Sequence, residues 1–351
     1  MAVFSFFQYL REQWRTLPQP RAVDNVSSKT FLVTGSNVGL GFEASVHLAK
    51  MRPKLLIATS RNQVKCELAR KSILERAVEP NMDLYTWPLE LESFQNVRSF
   101  VDRFAMEGNG TLNTLVANAG VYPNDYIRTQ DDWEITLQVN YLSTALLSIL
   151  LLPYLINSSS PDSPSRLVFV SSLAHYFAPE LKASDSRNSI LETVSQPEFG
   201  KRSVILGMMF IRELASRLPE SIPLVACAVN PGFCHSEMTR NAMPKGWFAS
   251  MCKRLVLVRS TEEGSRTLVH AAVASDRSMH GRYLSGCEIV EERDYLFTPE
   301  GKACSAKVWV RNCYYQRVFP FSLSQQDETI TLLSGVDGRV LEIVEKYLRA
   351  R

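Results

Sequence analysis

The residues best placed to do chemistry near the start of the chain are glycines. Thr34, Gly35, Gly39 and Gly41 form the pattern TGxxxGxG. It follows an apolar run, Phe31 to Val33, and leads into a stretch where Ala44, Leu48 and Met51 recur at helical spacing. Strand, glycine turn and helix in that order aim backbone N–H groups and the positive end of a helix dipole at one spot, which suits a phosphate. Glycine serves there because it has no Cβ to hold a pyrophosphate away and because it accepts φ > 0. Any glycine-rich turn between a strand and a helix would look the same, so the weight rests on markers elsewhere in the chain.

Such a turn has to be held by a sheet. Short apolar runs at Lys54–Thr59, Leu84–Leu89, Leu112–Ala117, Arg166–Val170, Leu224–Val229 and Tyr283–Ile289 read as six further strands. Helical patterns lie between them, over 62–79, 93–107, 131–152, 201–218 and 261–275. Apolar strands alternating with amphipathic helices predict a doubly wound α/β domain with a mainly parallel, seven-stranded, Rossmann-like sheet. The expected organisation is an N-terminal extension over 1–25, one domain over 26–292 and a C-terminal extension over 293–351. The run Ala145–Ile156 is expected to be a buried helix, too short to span a bilayer and interrupted by Pro153.

Composition excludes some classes. The formal net charge of +3 over 351 residues gives no footprint for nucleic acid. The seven cysteines form no CxxC pair, which argues for reduced thiols in a cytoplasmic protein and against a zinc site. The N-terminal MAVFSFFQYLREQWRTLP is too short to span a membrane. With Phe4, Phe7 and Trp14 beside Arg11 and Arg15 it could lie on a membrane surface, but the favoured expectation is a helix capping an apolar groove.

Further markers appear in order along the chain: Asn118-Ala119-Gly120 after the fourth strand, Asn140 in LQVNYLS, Ser171-Ser172 after the fifth strand, and Asn230-Pro231-Gly232 after the sixth. Together with Thr34–Gly41 they resemble the short-chain dehydrogenase/reductase family over roughly residues 26 to 290. SNVGLG, NPGFCHSE and TEEGSRTLVHAA are similar to its retinol-dehydrogenase-like branch, in particular to fungal members found among biosynthetic enzymes. The resemblance implies an oxidoreductase of a fungal secondary-metabolite pathway, acting on an apolar ketone or alcohol. It implies cofactor contacts from the first turn, Thr34, Gly35, Asn37, Gly39, Leu40 and Gly41, and from Asn118, Ala119 and Gly120. Pro231 and Gly232 belong to the turn that lines the nicotinamide, and Asn140 and Ser172 to the catalytic group.

The nucleotide is expected to be NADP(H). An acid after the second strand would suit the ribose 2′-OH of NAD, whereas Thr59-Ser60-Arg61 ends in a guanidinium fork suited to a 2′-phosphate. Glu90 takes the position of the family's adenine-side Asp. The family's proton-transfer pair, Tyr-xxx-Lys, is missing: none of the twelve tyrosines has lysine four residues on. Aligning Phe210-Ile211-Arg212-Glu213-Leu214-Ala215 with the family's FxxELA puts Gly200 and Val204 in the two positions. A phenol with an ordinary pKa near 10 needs a neighbouring cation to act as a base. Substitutes by position are Tyr176, Lys201, Arg202 and His235, with Tyr176 the candidate donor. Phe233 to Leu257, with Trp247, Phe248 and Met251, reads as a lid over a large apolar substrate. The competing expectation is a family member that has left redox chemistry, acting as a cyclase, an isomerase or a nucleotide-binding partner protein.

Overall fold

The computed structural model describes residues 6–23, 25–78, 82–183, 190–197, 204–235 and 258–315. Eight strands form one sheet: β1 Thr30–Val33, β2 Leu55–Ser60, β3 Leu84–Pro88, β4 Thr114–Ala117, β5 Ser165–Val170, β6 Leu224–Asn230, β7 Tyr283–Ser285 and β8 Glu288–Val290. Their spatial order is β3-β2-β1-β4-β5-β6-β7-β8, and every pair is parallel except β7 with β8. The chain winds outward from β1 in one direction and then from β4 in the other, so the order reverses between them. That reversal opens a crevice at the C-terminal ends of β1 and β4.

The strands read as continuous apolar runs because both faces are covered. Phe31 and Val33 point to one face, where α2 (Gly39–Lys50), α3 (Gln63–Ala77) and α9 (Thr261–Ala274) pack. Leu32 points to the other, with α4 (Phe94–Glu107), α6 (Ser143–Asn157), α7 (Ile190–Val194), α8 (Val204–Arg217) and α10 (Pro299–Tyr315). Leu55 and Ile57 alternate with Leu56 and Ala58 in the same way. Burying each such Leu, Ile or Phe contributes roughly 1.5–3 kcal/mol. The start of the C-terminal stretch joins this core, since Cys304, Val308 and Trp309 of α10 are buried.

Two expectations need correction. Tyr283–Ile289 is not one strand but a hairpin, β7 and β8, turning at Gly286 and Cys287, which both have positive φ (59° and 67°). Two consecutive left-handed residues are what a tight two-residue turn requires. The second concerns Pro153, which lies inside α6 and does not end it. The helical run Ile135–Asn157 comprises α5 (Ile135–Leu137), a π-turn (Gln138–Leu142) and α6. At 23 residues, with a mean hydropathy of 1.8 over its most apolar stretch, it is long and apolar enough to cross a membrane, yet 83% of that stretch is buried in the protein. Its hydropathy reflects packing between the sheet and α4.

Candidate active site

The glycine turn is built from the strand ends upward. Gly35 and Gly39 have φ of +71° and +67°. A Cβ on Gly41 would lie 2.3 Å from Asn118 Nδ2 and 2.4 Å from the Gly35 carbonyl, so only glycine fits. A Cβ on Gly39 would meet nothing within 4 Å, so that face of the turn is open. The NAG segment holds the turn from the β4 side: Asn118 N and Ala119 N both donate to Thr34 Oγ1 at 2.9 Å, and Asn118 Nδ2 donates to the Thr34 carbonyl at 2.8 Å. Asn37 and Leu40 are half-buried beside it.

A dinucleotide would suit this setting. Asn62 caps α3, and Ser93 caps α4. Ser260 caps α9, its Oγ accepting from Glu263 N. At α2 the cap residue is Val38, which has no side chain to accept a hydrogen bond, so the first N–H groups of that helix suit a phosphate. At the end of β2 the buried Ser60 hydroxyl has no hydrogen-bond partner among the described residues. Thr34 to Gly41 would hold the pyrophosphate, and the end of β2 the adenosine.

Arg61 is not alone there. Its Nε lies 3.6 Å from Glu90 and its Nη2 lies 3.2 Å from Glu92, with the guanidinium about half exposed. The β2–β3 register, which pairs Ser60 with Pro88, brings these positions together. Glu92 was not expected from the sequence, and it leaves two carboxylates against one cation where a 2′-phosphate would sit. The expected result is that Glu90→Gln combined with Glu92→Gln tightens NADPH by about five- to tenfold and barely changes NADH. Parallel fluorescence titrations of the two nucleotides would show it. An equal effect on both would mean that this corner does not meet the 2′ position.

Ser172 follows β5, two strands from the glycine turn and so about 10 Å along the same edge. It caps the 3-10 turn Leu173–Phe177, and its Oγ accepts from Ala174 N at 3.2 Å, leaving the hydroxyl proton free to donate. His175 is fully buried, and burial pulls it down to about 4. It is therefore neutral at pH 7 and holds the Ser172 carbonyl through Nδ1 at 2.8 Å. Asn140 sits in the π-turn, a distortion that often marks functional positions. Its carboxamide is committed to Val121, accepting from N at 2.7 Å and donating to O at 3.0 Å. Asn140 thus ties the catalytic-side helix to the loop that leaves Gly120. At the end of β6, Gly232 has φ +81° and its N–H donates to Asn230 Oδ1 at 3.2 Å.

A profile of the short-chain dehydrogenases matches residues 29–182. The short chain dehydrogenase/reductase dmxR8 of Cryptosporiopsis sp. (strain 8999) is 32% identical over 309 residues, covering 84% of this chain and 92% of that protein. The chain belongs to the short-chain dehydrogenase/reductase family. The short chain dehydrogenase atnD of Emericella nidulans is 33% identical over 300 residues, covering 82% of this chain and 90% of its own. Among solved structures, the NADPH-bound carbonyl reductase from chicken fatty liver superposes with a TM-score of 0.55 at 19% identity, over 77% of this chain and 99% of that one.

The sequence contains no Tyr-xxx-Lys, the pair that the resemblance leads one to expect. Val204, expected in the lysine position, is half-buried and is the first described residue of α8. Gly200, Lys201, Arg202 and lid residues 236–257 lie outside the described residues. Tyr176 lies in the 3-10 turn that follows Ser172. Its hydroxyl donates to the Glu291 carbonyl, and burial with nearby Glu12 and Glu292 pushes it up to about 12. That shift makes the phenol a weaker acid, and its hydroxyl is engaged between the β5 loop and the β7–β8 hairpin. His235 is exposed, with its N–H on the Arg259 carbonyl.

Proposed function

We propose that this protein is an NADP(H)-dependent oxidoreductase that interconverts an apolar ketone and its alcohol, in a fungal secondary-metabolite pathway. The observation that carries the reading is the glycine turn, open at Gly39 and uncapped at α2, on the same sheet edge as the half-buried Ser172 hydroxyl. Thr34–Gly41 and Asn118–Gly120 hold the dinucleotide, Arg61 meets its 2′ end, and Pro231 and Gly232 line its nicotinamide end. A bound dihydronicotinamide supplies the hydride. Ser172 donates a hydrogen bond to the substrate oxygen, and with no phenol–lysine pair the proton reaches that oxygen from water. Asn140 keeps the Gly120–Val121 loop in place.

A second reading, binding and folding an apolar substrate without redox chemistry, is favoured by one observation, the hydroxyl of Tyr176 turned onto Glu291. NADPH oxidation followed with bulky apolar ketones separates the two. Slow but measurable turnover that falls on Ser172→Ala supports the first, and none with any ketone supports the second. Tyr176→Phe is expected to leave turnover within about twofold, because its hydroxyl is occupied elsewhere. A collapse would make Tyr176 the donor after all.

A further inference from the structure

The N-terminal helix α1 (Phe6–Trp14) docks on the turn that ends β6, and the proposed chemistry makes no use of it. Gln13 is buried, and its carboxamide makes two bonds to one residue: Oε1 accepts from Phe233 N at 3.1 Å, and Nε2 donates to Phe233 O at 3.2 Å. A carboxamide suits this, with its donor and acceptor on separate atoms of one planar group. Arg259, also buried, reaches the same place. Its Nη1 donates to the Pro231 carbonyl at 3.4 Å, and its Nη2 to the carbonyls of Glu12 and of Arg15, the latter at 3.3 Å. Carbonyls at a helix C-terminus are where a cation is welcome. Ser285 Oγ donates to Glu12 at 3.1 Å and accepts from Asn230 Nδ2 at 3.1 Å. A Cβ on Gly232 would lie 2.4 Å from Gln13 Oε1 and 2.6 Å from Arg259 Nη1. Asn230, Pro231, Gly232 and Phe233 are therefore each fixed, directly or through one side chain, by α1 and its partners.

This turn stands at the C-terminal edge of the sheet, the side on which open α/β sheets take ligands. We infer that Gln13 is a positioning residue for the nicotinamide end of the cofactor site, setting the main chain of the 231–233 turn from behind without touching the ligand. The inference rests on the dinucleotide reading above. The helix is then a working part of the site and not an appendage.

The test uses the full-length protein and four ligands: NADPH and NADH, and 2′,5′-ADP and ADP-ribose, which carry the adenosine end but no nicotinamide. Gln13→Ala is expected to weaken whichever dinucleotide the wild type binds by about tenfold, the loss of two hydrogen bonds. It should leave the matching adenosine ligand within about twofold. Gln13→Glu keeps the volume and one acceptor but loses the donor. It should show the same selectivity at smaller size, and it serves if the alanine variant does not fold. Equal weakening of both ligand classes would mean that Gln13 only stabilises the fold, and no change in either would mean that the turn holds itself. Both results overturn the inference. A wild type that binds none of the four removes the dinucleotide reading itself, and this inference with it.

Discussion

Gly41→Ala is expected to lower dinucleotide affinity by about a hundredfold and to lower the melting temperature with it. The added Cβ would overlap Asn118 Nδ2 at 2.3 Å and the Gly35 carbonyl at 2.4 Å. Asn118 is the clamp that fixes Thr34, so it cannot retreat without releasing the turn. Overpacking of this kind costs about 1–3 kcal/mol before any ligand is considered. Gly39→Ala is the matched control. Its Cβ meets no protein atom, so it should fold with only about 1–2 kcal/mol of backbone strain at φ +67° and lose affinity because the methyl enters the open face. Fluorescence titration and thermal melting of the two variants would separate damage to the turn from obstruction of its open face. Wild-type affinity in Gly41→Ala would place the nucleotide elsewhere.

The second large effect is a gain. Gly200→Tyr combined with Val204→Lys is expected to raise NADPH-dependent ketone turnover by about 10²-fold or more, the range a positioned acid–base group supplies. Each change alone should do little. A phenol without its cation stays too basic, and a lysine without the phenol has nothing to tune. Val204 suits the test because it is a half-buried residue of α8, where a lysine stem can lie along apolar surface and extend its ammonium. Steady-state rates of the two single variants and the double variant decide it. Additive small effects would mean that the helix has lost the family's register.

The strands were legible because all six residues of Leu55–Ser60, and all seven of Leu224–Asn230, are buried on both faces, which forces continuous apolar runs. The glycine turn was legible because steric exclusion at Gly41 leaves no other residue type. What sequence could not carry depends on register and on distance. The hairpin at Gly286 hid because Cys287, its second left-handed residue, gives no turn signal. Arg61 stood out as a lone cation until the β2–β3 register put Glu90 and Glu92 beside it. Tyr176 has the right residue type four positions past Ser172, but its direction is set by the Glu291 carbonyl, 115 residues away. Gln13 has no local signal at all. Its partner is a backbone amide, and any residue but proline could have provided one.

The docking of α1 has a consequence for how the chain is made. Gln13 must find Phe233, 220 residues later, and Glu12 must find Ser285, 273 residues later. At about 5–20 residues per second on a ribosome, the first helix waits roughly ten seconds to a minute before its acceptors exist. Nine residues are too few to hold a helix in water without tertiary support. Helix α1 is therefore among the last segments to be set, and its bonds to the turn and to Ser285 form only after the β7–β8 hairpin has left the exit tunnel.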